Sequence, residues 1–178
     1  MFSGLFHSLK YKNKKKPTIL KNEKNEELIQ ELRFEGITDE KILSAIRIVP
    51  RELFTENLDE AYENKALSVE CHQTLTQPFC TAFMISSLDL RPTNNVLEIG
   101  TGVGWTTAVI SKLVKTVFTV ERFKTLLDKA KKNIAKLNIK NVNYKLGNGF
   151  EGWVDKILFD AITIVPRLKF YRQSCWKA

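Results

Sequence analysis

The segment Val96-Leu97-Glu98-Ile99-Gly100-Thr101-Gly102-Val103-Gly104-Trp105 constrains this chain more than any other. A hydrophobic run that ends in three alternate glycines and continues into a helical pattern reads as strand, loop and helix. Glycines there let the backbone turn sharply and let a bound group approach closer than a Cβ would permit. From Asn94 onward, short β-branched runs at 96–99, 116–120, 142–146 and 160–165 alternate with amphipathic runs at 105–114 and 123–137. That alternation predicts βαβ units and a parallel sheet.

The dinucleotide fingerprint needs glycines at its first, third and sixth positions. Counted from Gly100, the sixth position is Trp105, so the fingerprint fails. Glu98 followed by Gly100, Thr101, Gly102 and Gly104 instead resembles the first motif of class I S-adenosylmethionine-dependent methyltransferases. The resemblance implies a Rossmann-like α/β fold whose loop wraps the amino-acid and ribose portion of that cofactor. Glu121 closes the next strand, where a carboxylate can accept two ribose hydroxyls, although a strand-end acid can also simply be solvated. In Gly147-Asn148-Gly149, Asn148 can both accept from and donate to an adenine edge, or serve as a turn residue.

Upstream of this core, 26–33 reads as a short helix closed by Gly36. Thr38 is placed to cap a second helix through Ile42, Leu43, Ala45 and Ile46 that ends before Pro50. Residues 55–76 read as irregular, and Pro78 opens a third helix. The N-terminal helical and substrate-loop region is thus set at 25–92 and the α/β core at 93–165, in a single domain.

Net charge is +8, but seven lysines in residues 1–24 against one acid (Glu23) carry +6 of it. The basicity is an arm, expected to be disordered, rather than a nucleic-acid surface on the body. No apolar run approaches the ~20 residues of a membrane helix. Cys71, Cys80 and Cys175 are odd in number and widely spaced, which fits neither a disulfide framework nor a zinc site. His7 and His72 are too few for a histidine metal centre. These readings predict a cytoplasmic protein without metal or membrane partner.

Three further segments narrow the resemblance: Ile46-Arg47-Ile48-Val49-Pro50-Arg51-Glu52-Leu53-Phe54, Ala61-Tyr62-Glu63-Asn64-Lys65-Ala66-Leu67, and Gln73-Thr74-Leu75-Thr76-Gln77-Pro78-Phe79. Together with Thr119-Val120-Glu121, 147–153 and 159–162, they resemble the protein-L-isoaspartate O-methyltransferase family in order and spacing, over about residues 27–165. The resemblance implies methyl esterification of the α-carboxylate of L-isoaspartyl residues in damaged proteins and peptides. It places Gln73, Thr74, Gln77 and Pro78 in the substrate loop, and Glu98, Gly100, Thr101, Gly102, Gly104, Glu121, Asn148 and Gly149 at the cofactor. Thr76 falls where the family has its active-site serine; read alone, it could be a helix-start residue.

Three departures accompany the match. Glu70-Cys71-His72 stands where the family has Gly-x-Gly, and Asn148 stands where it has aspartate. After Val165 a basic aromatic tail, 166–178, has no family counterpart. About four strands are expected where the family sheet has seven, which leaves the last one as an apolar edge. Two other readings compete: an inactive remnant or binding module on a methyltransferase-like fold, and a methyltransferase acting on RNA.

Overall fold

The computed structural model describes residues 16–153 and 158–165. The tail 166–178 and the first fifteen residues of the basic arm lie outside them. Helix α1 (Lys16–Phe34) begins inside the segment read as an arm, well before the expected start at Glu26. Its inward face carries Leu28, Ile29 and Leu32, all fully buried. Each such side chain contributes roughly 1.5–3 kcal/mol on leaving water. The helix closes on Gly36 at φ +100°, with Gly36 N–H donating to Arg33 O and Ile37 N–H to Leu32 O, which satisfies its last carbonyls.

Helix α2 (Glu40–Ile48) is capped by Asp39, whose carboxylate accepts the Lys41 amide at 2.8 Å. Thr38, the expected cap, sits one residue too early. The carboxylate also complements the positive end of the helix, which a threonine hydroxyl cannot do. A 3₁₀ turn, Arg51–Phe54, follows.

The stretch 55–76 is not wholly irregular. Strands β1 (Leu67–Val69) and β2 (Gln73–Leu75) form an antiparallel hairpin in which Leu67 faces Leu75 and Val69 faces Gln73. Its turn places Cys71 and His72 at φ 59° and 54°, the left-handed region that glycine occupies without cost. Helix α3 (Pro78–Ser86) then starts at the expected proline.

The α/β core follows as β3 (Asn95–Ile99), α4 (Trp105–Ile110), β4 (Thr116–Glu121), α5 (Lys124–Ala135), β5 (Val142–Leu146) and β6 (Ala161–Ile164). All four core strands are parallel, in the order β5-β4-β3-β6. Helix α4 stops four residues before its expected end. The Ser111 hydroxyl donates to Ala108 O at 2.6 Å, and the following amides bond three residues back, so the helix tightens into turns.

On β4, Phe118 meets Trp153 and Phe159 edge-on at 5.1 and 5.4 Å, tying the connection after β5 to the sheet. Strand β6 is one edge of the sheet among the described residues, β5 being the other, and its Ile162 and Ile164 are more than half exposed. No described helix is long and apolar enough to cross a membrane.

Candidate active site

Chain direction changes side at β3: β4 and β5 lie to one side of it and β6 to the other. Open parallel sheets bind ligands beyond the carboxyl ends of their strands at such a switch point. A cleft of about 340 Å³ lies there, lined by the loop after β3, the ends of β4 and β6, Asn148 to Phe150, and the strand and turn Gln73 to Thr76.

The three glycines of the loop answer to three different surroundings. Gly102, at φ +55°, has nothing within 4 Å of where a Cβ would sit, and it faces the open cleft. A Cβ on Gly100 would stand 2.7 Å from Val165 O at the end of β6. One on Gly104 would stand 3.0 Å from Ala130 Cβ on α5. Gly104 does not line the cleft; its lack of a side chain lets α4 and α5 pack closely. Gly149 lines the cleft and is held to glycine by Ile99 Cγ2, which a Cβ there would overlap.

Glu121 is nearly buried at the cleft wall. Its Oε2 accepts the Gly102 amide at 2.8 Å and its Oε1 the Phe123 amide at 2.9 Å. A carboxylate offers about four lone-pair directions, so each oxygen retains acceptor capacity for a ligand hydroxyl.

Glu98 lies beneath the cleft rather than on its wall, fully buried. Its Oε2 accepts the Thr119 hydroxyl at 2.6 Å and the Thr107 hydroxyl, while Oε1 has no partner among the described residues. Desolvation, only partly offset by these hydroxyls, pushes its carboxyl up to about 7. Thr119 is in turn 2.6 Å from the Thr101 hydroxyl, and Thr101 lines the cleft. Glu98 therefore acts on the loop through two threonines.

On the opposite wall, Gln73, Thr74 and Thr76 line the cleft, whereas Gln77 and Pro78 do not. Gln77 Nε2 donates to Asn64 O at 2.9 Å, and Asn64 Oδ1 accepts the Phe79 amide at 3.0 Å. Asn64 thus caps α3 from a distant segment, and the Thr76 hydroxyl is not consumed as a helix cap. Asn148 does cap a turn, accepting the Phe150 amide at 3.2 Å, while lying on the cleft.

Trp105, Arg122, Phe123 and Phe150 also line the cleft, and none was singled out from sequence. Trp105 read only as a helix start. Phe123, two residues past the strand-end Glu121 with Arg122 Cζ 4.8 Å from its ring centroid, had a signal in that position.

A parallel sheet with a glycine loop after β3 and a carboxylate ending β4, both on one cleft, defines a Rossmann-like class I methyltransferase fold. The protein-L-isoaspartate(D-aspartate) O-methyltransferase family matches residues 22–167, and the chain belongs to that family. Protein-L-isoaspartate O-methyltransferases of Aliivibrio fischeri and Vibrio cholerae are 48% and 46% identical to it, over 80% and 86% of this chain and 70% and 74% of theirs. That of Parvibaculum lavamentivorans is 44% identical over 78% of this chain, which spans 63% of that relative's length.

A solved protein-L-isoaspartate O-methyltransferase superposes with a TM-score of 0.71 at 30% identity, over 79% of this chain and 47% of that one. A Plasmodium falciparum chain assigned to the same enzyme, solved with S-adenosyl-L-homocysteine, superposes with a TM-score of 0.69 at 22% identity, over 79% of this chain and 72% of that one, a likeness of fold.

Proposed function

We propose that this protein esterifies the α-carboxylate of L-isoaspartyl residues in damaged proteins and peptides, using S-adenosylmethionine. The observation that carries this reading is that Gln73 to Thr76 and Gly100 to Val103 line one cleft. The residues present fit the cofactor: the space over Gly102 is open, and Glu121 keeps acceptor capacity for two ribose hydroxyls. Thr101, Gly102, Glu121, Asn148 and Gly149 would hold it. When bound, it supplies an electrophilic methyl group on sulfur.

The chain's own task is then positioning. A carboxylate is ionised at neutral pH, so its attack needs no general base, and the Thr76 hydroxyl can donate to the carboxylate oxygen that does not react. Val103, Trp105 and Phe123 add apolar surface to the cleft wall.

The unpaired Cys71 and Cys80 are consistent with a reducing, cytoplasmic setting. A second reading, a cofactor-binding module without turnover, draws on the exposed apolar side chains of the β6 edge.

Transfer of labelled methyl to an isoaspartyl peptide, with its aspartyl twin as control, tests the proposal. Base-labile label on the isoaspartyl peptide alone supports it. Binding of S-adenosylhomocysteine with no label on either peptide favours the module.

A further inference from the structure

We infer that Arg51 is a positioning residue that sets the place of the Thr76 loop relative to the glycine loop. This rests on the functional reading above for its catalytic consequence, though not for its structural one.

Arg51 is fully buried, 1% exposed, at the start of the 3₁₀ turn after α2. Its Nη1 donates to Ala61 O at 2.8 Å, and its Nη2 donates to Lys65 O at 3.1 Å and Thr76 O at 2.9 Å. One planar guanidinium thus joins three separate points of the segment 61–76. The third is the main chain of Thr76, which lines the cleft.

The same guanidinium lies over Trp105, its Cζ 5.0 Å from the ring centroid. Trp105 lines the cleft, directly follows Gly104, and is itself pinned by its Nε1 donating to Val49 O at 3.3 Å. Arg51 therefore touches the substrate side through carbonyls and the cofactor side through an aromatic face.

A cation is a costly way to fill core space. No carboxylate forms an ion pair with Arg51 among the described residues, and its Nε has no partner there. Among the described residues the charge is compensated by three carbonyl dipoles, a ring quadrupole and the neighbouring Tyr62, and burial pushes the guanidinium down to about 10, which leaves it charged at neutral pH. An apolar side chain of similar volume would serve the core at lower cost. What it could not do is hold three carbonyls in one plane at fixed spacing. Lysine could not either, because a point ammonium lacks the fork and stacks poorly on a ring.

The test compares Arg51→Lys and Arg51→Met with the wild-type chain. Three measurements are made: amide hydrogen exchange with S-adenosylhomocysteine present, affinity for that ligand, and kcat/KM for an isoaspartyl peptide. In a folded variant, exchange over 61–77 should rise about tenfold or more while 96–105 keeps its protection. Ligand affinity should change less than about threefold, and kcat/KM should fall about a hundredfold, the cost of misplacement by roughly an ångström.

Exchange that rises evenly across the molecule, or not at all, overturns the inference. So does unchanged kcat/KM in a variant of an active enzyme. If neither variant folds, Arg51 serves global stability and the positioning role is rejected. If the wild type transfers no methyl, the functional reading fails, while the exchange pattern still decides the role of Arg51.

Discussion

Gly102 donates its backbone amide to Glu121 at 2.8 Å, joining the middle of the loop after β3 to the last residue of β4. With Phe123 N–H on the other oxygen, the carboxylate is oriented by two donors before any ligand arrives. Glu121→Gln must turn an amide group toward one of those donors. Affinity for S-adenosylhomocysteine should fall at least about tenfold, the scale of a lost charge-assisted bond. Titration calorimetry reads this directly, and equal affinity would remove Glu121 from the site.

Gly102→Val and Gly104→Ala separate the two uses of glycine. The valine would project into open cleft from a left-handed backbone, so cofactor binding should be lost with about 1–2 kcal/mol of strain. The alanine would press on Ala130 on α5, costing roughly 1–3 kcal/mol of stability without entering the cleft. Melting and binding measured side by side should therefore rank the variants oppositely.

Thr76→Ala leaves the cleft wall in place and removes one hydroxyl. Cofactor affinity should stay within about twofold while kcat on an isoaspartyl peptide drops about tenfold, the scale of one net hydrogen bond. A kcat equal to wild type would return Thr76 to a passive turn residue.

Glu98 gives stability a pH dependence of definite sign. Its folded carboxyl titrates near 7, above its ordinary range, so between about pH 4.5 and 7 the folded state holds more protons than the unfolded one. Stability then falls as pH rises through that window and levels off above it, by on the order of 3 kcal/mol at most. Glu98→Gln should flatten this part of the melting profile between pH 5 and 8, and a parallel profile in both proteins would contradict the assignment.

The hairpin turn before Gln73 holds two non-glycine residues at positive φ. Cys71→Gly should relieve about 1 kcal/mol of backbone strain, less some lost packing, and raise the denaturant midpoint. A lowered midpoint would show that Cys71 packing outweighs the strain.

Much of the core was legible because periodicity is strong there. The β3 run into alternate glycines, the acid closing β4 and the apolar stripe of α5 each carry their own signal. The β1–β2 hairpin was not legible. Its strands are three residues long, and its turn puts Cys71 and His72, rather than glycines, at positive φ. The cap of α2 went to Asp39 over Thr38 on electrostatics that spacing alone does not rank. Gln73 to Thr76 and the glycine loop line the same cleft. Glu98 and Gly104 were grouped with the ligand residues because they share one short motif, yet burial and packing set them one layer back. Arg51 carried no local signal for its reach, since its partners lie 10, 14 and 25 residues away.

The separate constraints on the three loop glycines imply separate clocks under mutation. Gly100 answers to Val165 and Gly104 to Ala130, so both stay fixed for as long as the chain must fold. Gly102 answers to open space that a ligand needs and to a left-handed backbone that costs another residue only about 1–2 kcal/mol. In a lineage where this fold persisted after its chemistry was abandoned, that position would drift first, while its two neighbours continued to look like an intact motif.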